Sequence, residues 1–124
     1  MGTEPTEVLV VQRVISIEDV PVADLTDIVP LEVLCRSDLG SDFRGSVLDV
    51  LLTRGSPVLS TSRTEILAEL AGEDDALRLQ VEQGAPLLVL TAQLFSYDEH
   101  VVDYSVSYSV PGHFKFHVMR RIVR

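Results

Sequence analysis

The stretch "VEQGAPLLVLTAQLFSYDEHVVDYSVSYSV", residues 81–110, holds the pattern that decides the fold class. A Gly-Ala-Pro turn precedes an apolar run, an acidic Tyr-Asp-Glu-His break follows, and a second run carries one carboxylate, Asp103. Runs rich in β-branched and aromatic residues that are separated by turn residues predict strands, here over 86–96 and 100–110. Asp103 lies between valines and a tyrosine, an unusual place for a charged side chain in a strand.

The alternation of the second strand predicts two different faces. One face carries Asp103 with Val101, Ser105, Ser107 and Ser109, and the other carries Val102, Tyr104, Val106 and Tyr108. Two interpretations of the polar face remain open. It meets water, as one face of an antiparallel sheet can, or it forms part of a cavity in which hydroxyls and one carboxylate direct a ligand.

Outward from this hairpin, the pattern predicts an α+β domain with a mostly antiparallel sheet. Further strands are predicted over 7–16, 20–29, 57–67 and 113–122. A short helix is expected between an N-cap Ser46 and a stopping Gly55, and a second one within 71–84. The segment 31–44 reads as irregular, with one helical turn.

Two hairpins share a weak likeness that could be an internal repeat. "VVQRVISIEDVPVADL" (10–25) and "VLTAQLFSYDEHVVDY" (89–104) both run strand, acidic turn, strand. They could pair about a pseudo-twofold axis and enclose a cleft, or they could match by chance because both use common strand residues.

Composition bounds the class of protein. The 124 residues fit one domain, 1–124, and no apolar run reaches the roughly 20 residues of a membrane-spanning helix. The net charge of −9 argues against this chain holding a nucleic-acid backbone. A polar N-terminus and a single cysteine, Cys35, favour the reducing cytoplasm. No metal-ligand spacing, Walker loop, Rossmann glycine set or nucleophile elbow is found, so we expect neither a metal nor a cofactor.

The residues resemble the UTRA domain, the effector-binding half of GntR-superfamily transcription regulators of the HutC type. The positions that fall in step with the family signature are Glu65-Ile66, Ala76, Leu79, Val81, Gly84, Pro86, Leu87, Leu88, Asp103-Tyr104-Ser105 and Phe114-Lys115-Phe116. Upstream, "VVQRVISIEDVPVADLTDIVP" resembles the family's arginine-rich strand, the Pro-Val after its turn and the Pro at the end of the next strand, and "GSVLDVLLTRG" resembles the Ser-led helix that follows. The resemblance implies a chorismate-lyase-like fold with a six-stranded antiparallel sheet. The family's usual first strand and helix and its winged helix have no counterpart here.

The resemblance also implies a ligand site. By position, Arg13 matches an effector-binding arginine, Ser46 a hydroxyl at a helix N-terminus that receives an anionic group, and Asp103 an acid that holds polar effector groups. Five further ligand-site positions are Ile15 for a second arginine, Leu25 for a glutamate, Ala92 for a basic residue, Ser109 for a tyrosine, and the adjacent Tyr108. Because several polar anchors are apolar or small here, a phosphorylated sugar fits poorly. Two alternatives follow: the ligand is more apolar, or the ability to bind one has been lost.

Three functions follow from these observations. The first is a small-molecule effector-binding domain of a bacterial transcription regulator, non-enzymatic and homodimeric, which reaches DNA only through a winged helix outside this sequence. The second is a chorismate-lyase-like enzyme that acts on a small carboxylate through Arg13 and Asp103. The third is a scaffold that only dimerises. Catalysis by a single Asp without a second acid, a metal or a His is poorly supported, which favours the first function.

Overall fold

The computed structural model describes residues 7–40, 43, 45–113 and 122. Five antiparallel strands form one sheet in the order β1-β2-β5-β4-β3. The elements are β1 (Val8–Ile17), β2 (Val20–Pro30), α1 (Val47–Arg54), β3 (Leu59–Leu70), α2 (Glu73–Leu79), β4 (Pro86–Ser96) and β5 (Val101–Ser109). One 3-10 turn, Arg36–Asp38, lies in the connection between β2 and α1.

The predicted α+β class and the mostly antiparallel sheet are confirmed. Five predicted strands are present, and β3 runs three residues past its predicted end. The sixth predicted strand, 113–122, lies almost wholly outside the described residues. The predicted hairpins are β1–β2 and β4–β5, and they meet through antiparallel pairing of β2 with β5.

Each helix covers a different face of the sheet. On the face that we call the α1 face, a buried cluster joins α1 to the strands: Val29, Leu34, Val47, Leu51 and Val102. On the opposite face, the α2 face, a smaller cluster contains Ala71, Ala76, Leu79 and Leu87, with Tyr108 packed against it. Burial of these side chains, roughly 1.5–3 kcal/mol for each large one, holds the layers together.

The sequence of α1 fixes both of its ends. Ser46 is the N-cap, and its hydroxyl oxygen accepts from the backbone N–H of Asp49 at 3.4 Å. Gly55 ends the helix in the left-handed region at φ 71°, where its N–H donates to the Leu51 carbonyl. Val47 and Leu51, four residues apart, form the buried stripe. The helix therefore stands over the α1 face with its N-terminus near β5.

An irregularity in the β4–β5 ladder corrects the predicted alternation of β5. Leu94 pairs with Asp103 but Phe95 pairs with Val101, so Val102 is an extra residue. At such a β-bulge two successive side chains point to the same face of the sheet. Val102 therefore joins the core beneath α1 beside Asp103, and its predicted place on the opposite face is wrong.

Candidate functional site

A cavity of about 210 Å³ opens to solvent on the α1 face, between the N-terminal turn of α1 and the centre of the sheet. All five strands and α1 contribute to its wall. The lining residues are Arg13, Leu25, Asp27, Ser46, Leu48, Ser62, Ala92, Leu94, Asp103 and Ser105. Three charged side chains and three hydroxyls thus share one small space with four apolar side chains, as in sites where polar groups orient a mostly apolar ligand.

An ion pair between neighbouring strands forms one wall of the cavity. Arg13 Nη2 donates to Asp27 Oδ2 at 3.2 Å, and the two side chains are only 16 % and 6 % exposed. The guanidinium carbon of Arg13 also lies 5.4 Å from the centroid of the Phe43 ring, within cation–π range. Arg13 Nε is buried and has no hydrogen-bond partner in the described part of the chain.

Asp103 brings a second carboxyl group to the same wall. The residue is 6 % exposed, and its Oδ1 atom is buried without a hydrogen-bond partner among the residues that the structure describes. Burial, a side-chain hydrogen bond with Asp27 and the negative charge of Asp27 raise the pKa of Asp103 to about 8, against a smaller opposing effect of Arg13. Asp103 therefore holds a proton near neutral pH.

Five of the eight predicted site residues lie together. Arg13, Leu25, Ser46, Ala92 and Asp103 all line the cavity. The other three do not. Ile15 is 41 % exposed and lines a separate hollow beside Phe43. Tyr108 packs in the α2 cluster on the opposite face, and Ser109 is buried with its hydroxyl 3.4 Å from that of Ser107.

Asp27 is the residue that the sequence reasoning missed. The charged residues predicted for the ligand site are Arg13 and Asp103, whereas the partner of Arg13 in the structure is Asp27. The signal was present, because Asp27 follows Leu25 by two residues on one strand and must share its face. Ser62 and Ser105 also line the cavity beside the predicted residues.

Two kinds of site find no support in the described residues. No group of three or more His, Cys, Asp or Glu side chains there could hold a metal ion. No helix in the described ranges is long and apolar enough to cross a membrane.

The fold and the cavity define a class of protein: an antiparallel α+β domain with a small, polar-walled cavity beneath one helix. A family model described as the UTRA domain matches residues 3–115. The chain belongs to the UTRA domain family. A search of curated proteins finds no significant match to the sequence.

Solved structures of regulators share this fold. A GntR-family transcriptional regulator from Enterococcus faecalis V583 superposes with a TM-score of 0.76 at 17% identity, over 91% of this chain and 81% of that chain. The effector domain of PhnF from Mycobacterium smegmatis gives 0.79 at 20% identity, over 92% and 70%. The effector-binding domain of the Bacillus subtilis trehalose repressor TreR gives 0.79 at 17% identity, over 94% and 81%. The chain is thus a UTRA domain that shares its fold with these regulator domains.

Proposed function

We propose that this chain is the small-molecule sensing domain of a GntR-family transcription regulator and that the cavity beneath α1 is its effector site. One observation carries the proposal: Arg13, Asp27 and Asp103, from three different strands, meet in a cavity that is open to solvent. Desolvated charges cost free energy on folding unless they are fully compensated. Arg13 Nε and Asp103 Oδ1 stay uncompensated within the described residues, as expected where a ligand completes the bonding.

The position of α1 supports a sensing role. Its first residues touch the cavity through Ser46 and Leu48, while Val47 and Leu51 on the same helix belong to the core. A ligand that contacts Ser46 or Leu48 can therefore bias the position of α1 against the sheet. Such a bias is what a sensor needs, because a ligand shifts an equilibrium only through different contacts in the two states.

The experiment blocks the cavity with a larger side chain. Ala92→Leu fills the space at the cavity wall, and Thr91→Leu, next along β4 but on the α2 face, is the matched control. A panel of small metabolites is screened by thermal unfolding. A ligand at 100 times its Kd stabilises the parent by about 2.7 kcal/mol. We expect Ala92→Leu to abolish this stabilisation and Thr91→Leu to keep it; an unchanged response in both variants would refute the assignment.

An enzyme that acts on a small carboxylate is the second candidate. It is favoured by the carboxyl pair, because a pKa of Asp103 of about 8 would suit a group that transfers protons near neutral pH. We propose that the domain is not catalytic, since the solved domains of similar fold come from regulators. Prolonged incubation with each hit, followed by one-dimensional NMR, separates the two functions: a sensor returns its ligand unchanged, and an enzyme converts it.

We further propose a homodimer that works in the bacterial cytoplasm. β3 is a twelve-residue strand whose outer edge pairs with no other described strand, and it exposes Ile66, Leu67 and Leu70. A long exposed edge with apolar side chains usually needs cover. Light scattering should give twice the chain mass at micromolar concentration, and a monomer would contradict this.

DNA contact is proposed to require a winged helix outside this chain, because its net charge of −9 repels phosphates. Salt-sensitive retention of duplex DNA by this chain alone in a mobility-shift assay would contradict that proposal.

A further inference from the structure

The charges around the cavity do not balance. Arg13 is the one cation among the described lining residues, and it is engaged by Asp27 at 3.2 Å. Asp103 is the second acid, with a buried Oδ1 that no described group satisfies. A single guanidinium facing two carboxyl groups leaves one of them to be neutralised by a proton or by a cation from outside.

Among the residues that the structure describes, the other walls of the cavity offer no second cation. β3 contributes Ser62, β4 contributes Ala92 and Leu94, and α1 contributes Ser46 and Leu48. These side chains carry no charge, so in the described part of the chain Arg13 on β1 and Asp27 on β2 are the charged groups that face Asp103. The N-terminal turn of α1 favours anions but already holds the carboxylate of Asp49.

We propose that the cavity binds a small organic cation, a primary ammonium on a short apolar body, whose ammonium group lies between the carboxyl groups of Asp103 and Asp27. The inference rests on the proposed function and names its ligand class. An ammonium donates three hydrogen bonds, so it can reach Asp103 Oδ1 and a nearby hydroxyl such as Ser105 at once. Leu25, Leu48, Ala92 and Leu94 are placed to contact the apolar body.

The volume of the cavity limits the size of this ligand. At about 210 Å³, it lies below the roughly 300 Å³ at which pockets for drug-sized molecules begin. Because Asp27 already engages Arg13 Nη2, an anionic ligand would be left with the Nε of Arg13, which is unpartnered among the described residues, and it would face the carboxyl groups of Asp27 and Asp103. The two acids therefore disfavour the binding of phosphates and carboxylates at this wall of the cavity.

Binding of the cation also has a proton balance. Near pH 7 Asp103 carries a proton, and the incoming ammonium keeps all of its own, so the carboxyl proton leaves to the buffer. The affinity for the cation must then rise with pH, because a higher pH makes the proton of Asp103 easier to remove. Because the pKa of Asp103 is raised to about 8, the affinity should increase about tenfold between pH 6.5 and 8 and then level off.

The experiment uses three probes with one four-carbon body: butylammonium chloride, 1-butanol and sodium butanoate. Each is titrated into the 15N-labelled chain, and binding is read from the amide resonances of Ala92, Asp103 and Ser105. We expect saturable shifts with butylammonium, at least tenfold weaker binding of the other two probes, and release of close to one proton at pH 7 by calorimetry in buffers of different ionisation enthalpy.

Matched variants separate the carboxyl pair from the overall charge. Asp103→Asn should weaken butylammonium at least tenfold and remove the pH dependence. Asp27→Asn should free Arg13 and let butanoate bind. Glu65→Gln makes the same change in net charge at an exposed position on the α2 face, so it should leave all three affinities within twofold of the parent.

The outcomes distinguish this inference from the proposed function. If butanoate or butanol shifts the cavity resonances and butylammonium does not, the cation is wrong and the effector site stands. Equal losses in Asp103→Asn and Glu65→Gln would also overturn the role of the carboxyl pair. If none of the three probes shifts the cavity resonances, the inference of a cationic ligand fails, and the effector site is judged by the comparison of Ala92→Leu with Thr91→Leu.

Discussion

Two buried acids on opposite faces of the sheet meet different fates. Asp24, on the α2 face, is 2 % exposed and accepts from Arg78 Nε at 2.7 Å and from Gln12 Nε2 at 3.3 Å. Asp103, on the α1 face, is nearly as buried, but it meets another carboxyl group and keeps an unpartnered oxygen. One acid has a cation of its own and the other does not.

The difference separates structural from functional charge. Asp24, Arg78 and Gln12 form what we call the closed cluster, because each oxygen of Asp24 has a partner within it. The ion pair between Arg78 and Asp24 ties α2 to β2 and holds the helix in place. Arg13, Asp27 and Asp103, which we call the open cluster, line a cavity that is open to solvent. Folding alone would favour a neutral side chain there, so an incompletely satisfied acid beside a cavity points to a ligand.

The largest expected effect is on the closed cluster. Arg78→Met leaves Asp24 buried without its cation, which should lower the free energy of unfolding by about 3 kcal/mol, the lower end of the range for a broken buried pair, because Arg78 is itself 41 % exposed. Arg63→Met is the control, since it removes an exposed pair with Glu65 and should cost less than about 1 kcal/mol. Urea denaturation measures both, and equal costs would erase the comparison.

The open cluster should behave in the opposite way. The pKa of Asp103 is raised to about 8 in the folded chain, against about 3.9 when unfolded. The folded state therefore binds the extra proton between pH 4 and 8, so this group's contribution to stability falls as pH rises through that window. Asp103→Asn should match the parent near pH 4 and exceed it by about 1–2 kcal/mol at pH 8.5. Urea denaturation at several pH values measures the free energy of unfolding of both proteins, and a constant difference between them from pH 4 to 8.5 would contradict the assignment.

The helix α1, which covers the open cluster, can be destabilised without changing the cluster's charged residues. Ser46→Ala removes the N-cap of α1, whose bond to the Asp49 N–H is long at 3.4 Å, so the cost should be about 0.5–1 kcal/mol. Hydrogen exchange should quicken at Val50 and Leu51 and stay unchanged in α2, whose contacts lie on the other face. Faster exchange in both helices would mean that the two faces are not independent.

Most of the fold could be predicted because its signals are local. Alternation along β1, β2, β4 and β5, Ser46 before α1 and Gly55 after it each specify an element within a few residues. The bulge at Val102 could not be predicted in this way. It depends on the packing of Val102 against Val47 and Leu51 of α1, which outweighs regular alternation.

In the candidate site, too, the features with local signals could be predicted and those that depend on long-range packing could not. Arg13, Ser46 and Asp103 were placed in one cleft because strand periodicity and the UTRA resemblance give each residue's face. The partner of Arg13 depends on the register of β1 against β2, which places Leu25 opposite Arg13 and Asp27 two residues along β2, and register is set by the whole hairpin. The ligand-binding role of these residues stays a prediction until a ligand is found.

The smallest expected effect comes from adding an N-cap to α2, which should stabilise the α2 face and leave the cavity on the α1 face unchanged. α2 starts at Gly72, whose φ of −77° and ψ of −179° already suit an N-cap, and no side chain there caps the helix. An added Cβ would meet nothing within 4 Å, so Gly72→Ser should place a hydroxyl toward the free N–H groups of the first turn without strain. The gain over glycine should be a few tenths of a kcal/mol, seen as a small rise in Tm. Since α2 packs on the face opposite the cavity, the butylammonium affinity should not change; a shift in that affinity would show that the closed and open clusters are coupled through the sheet.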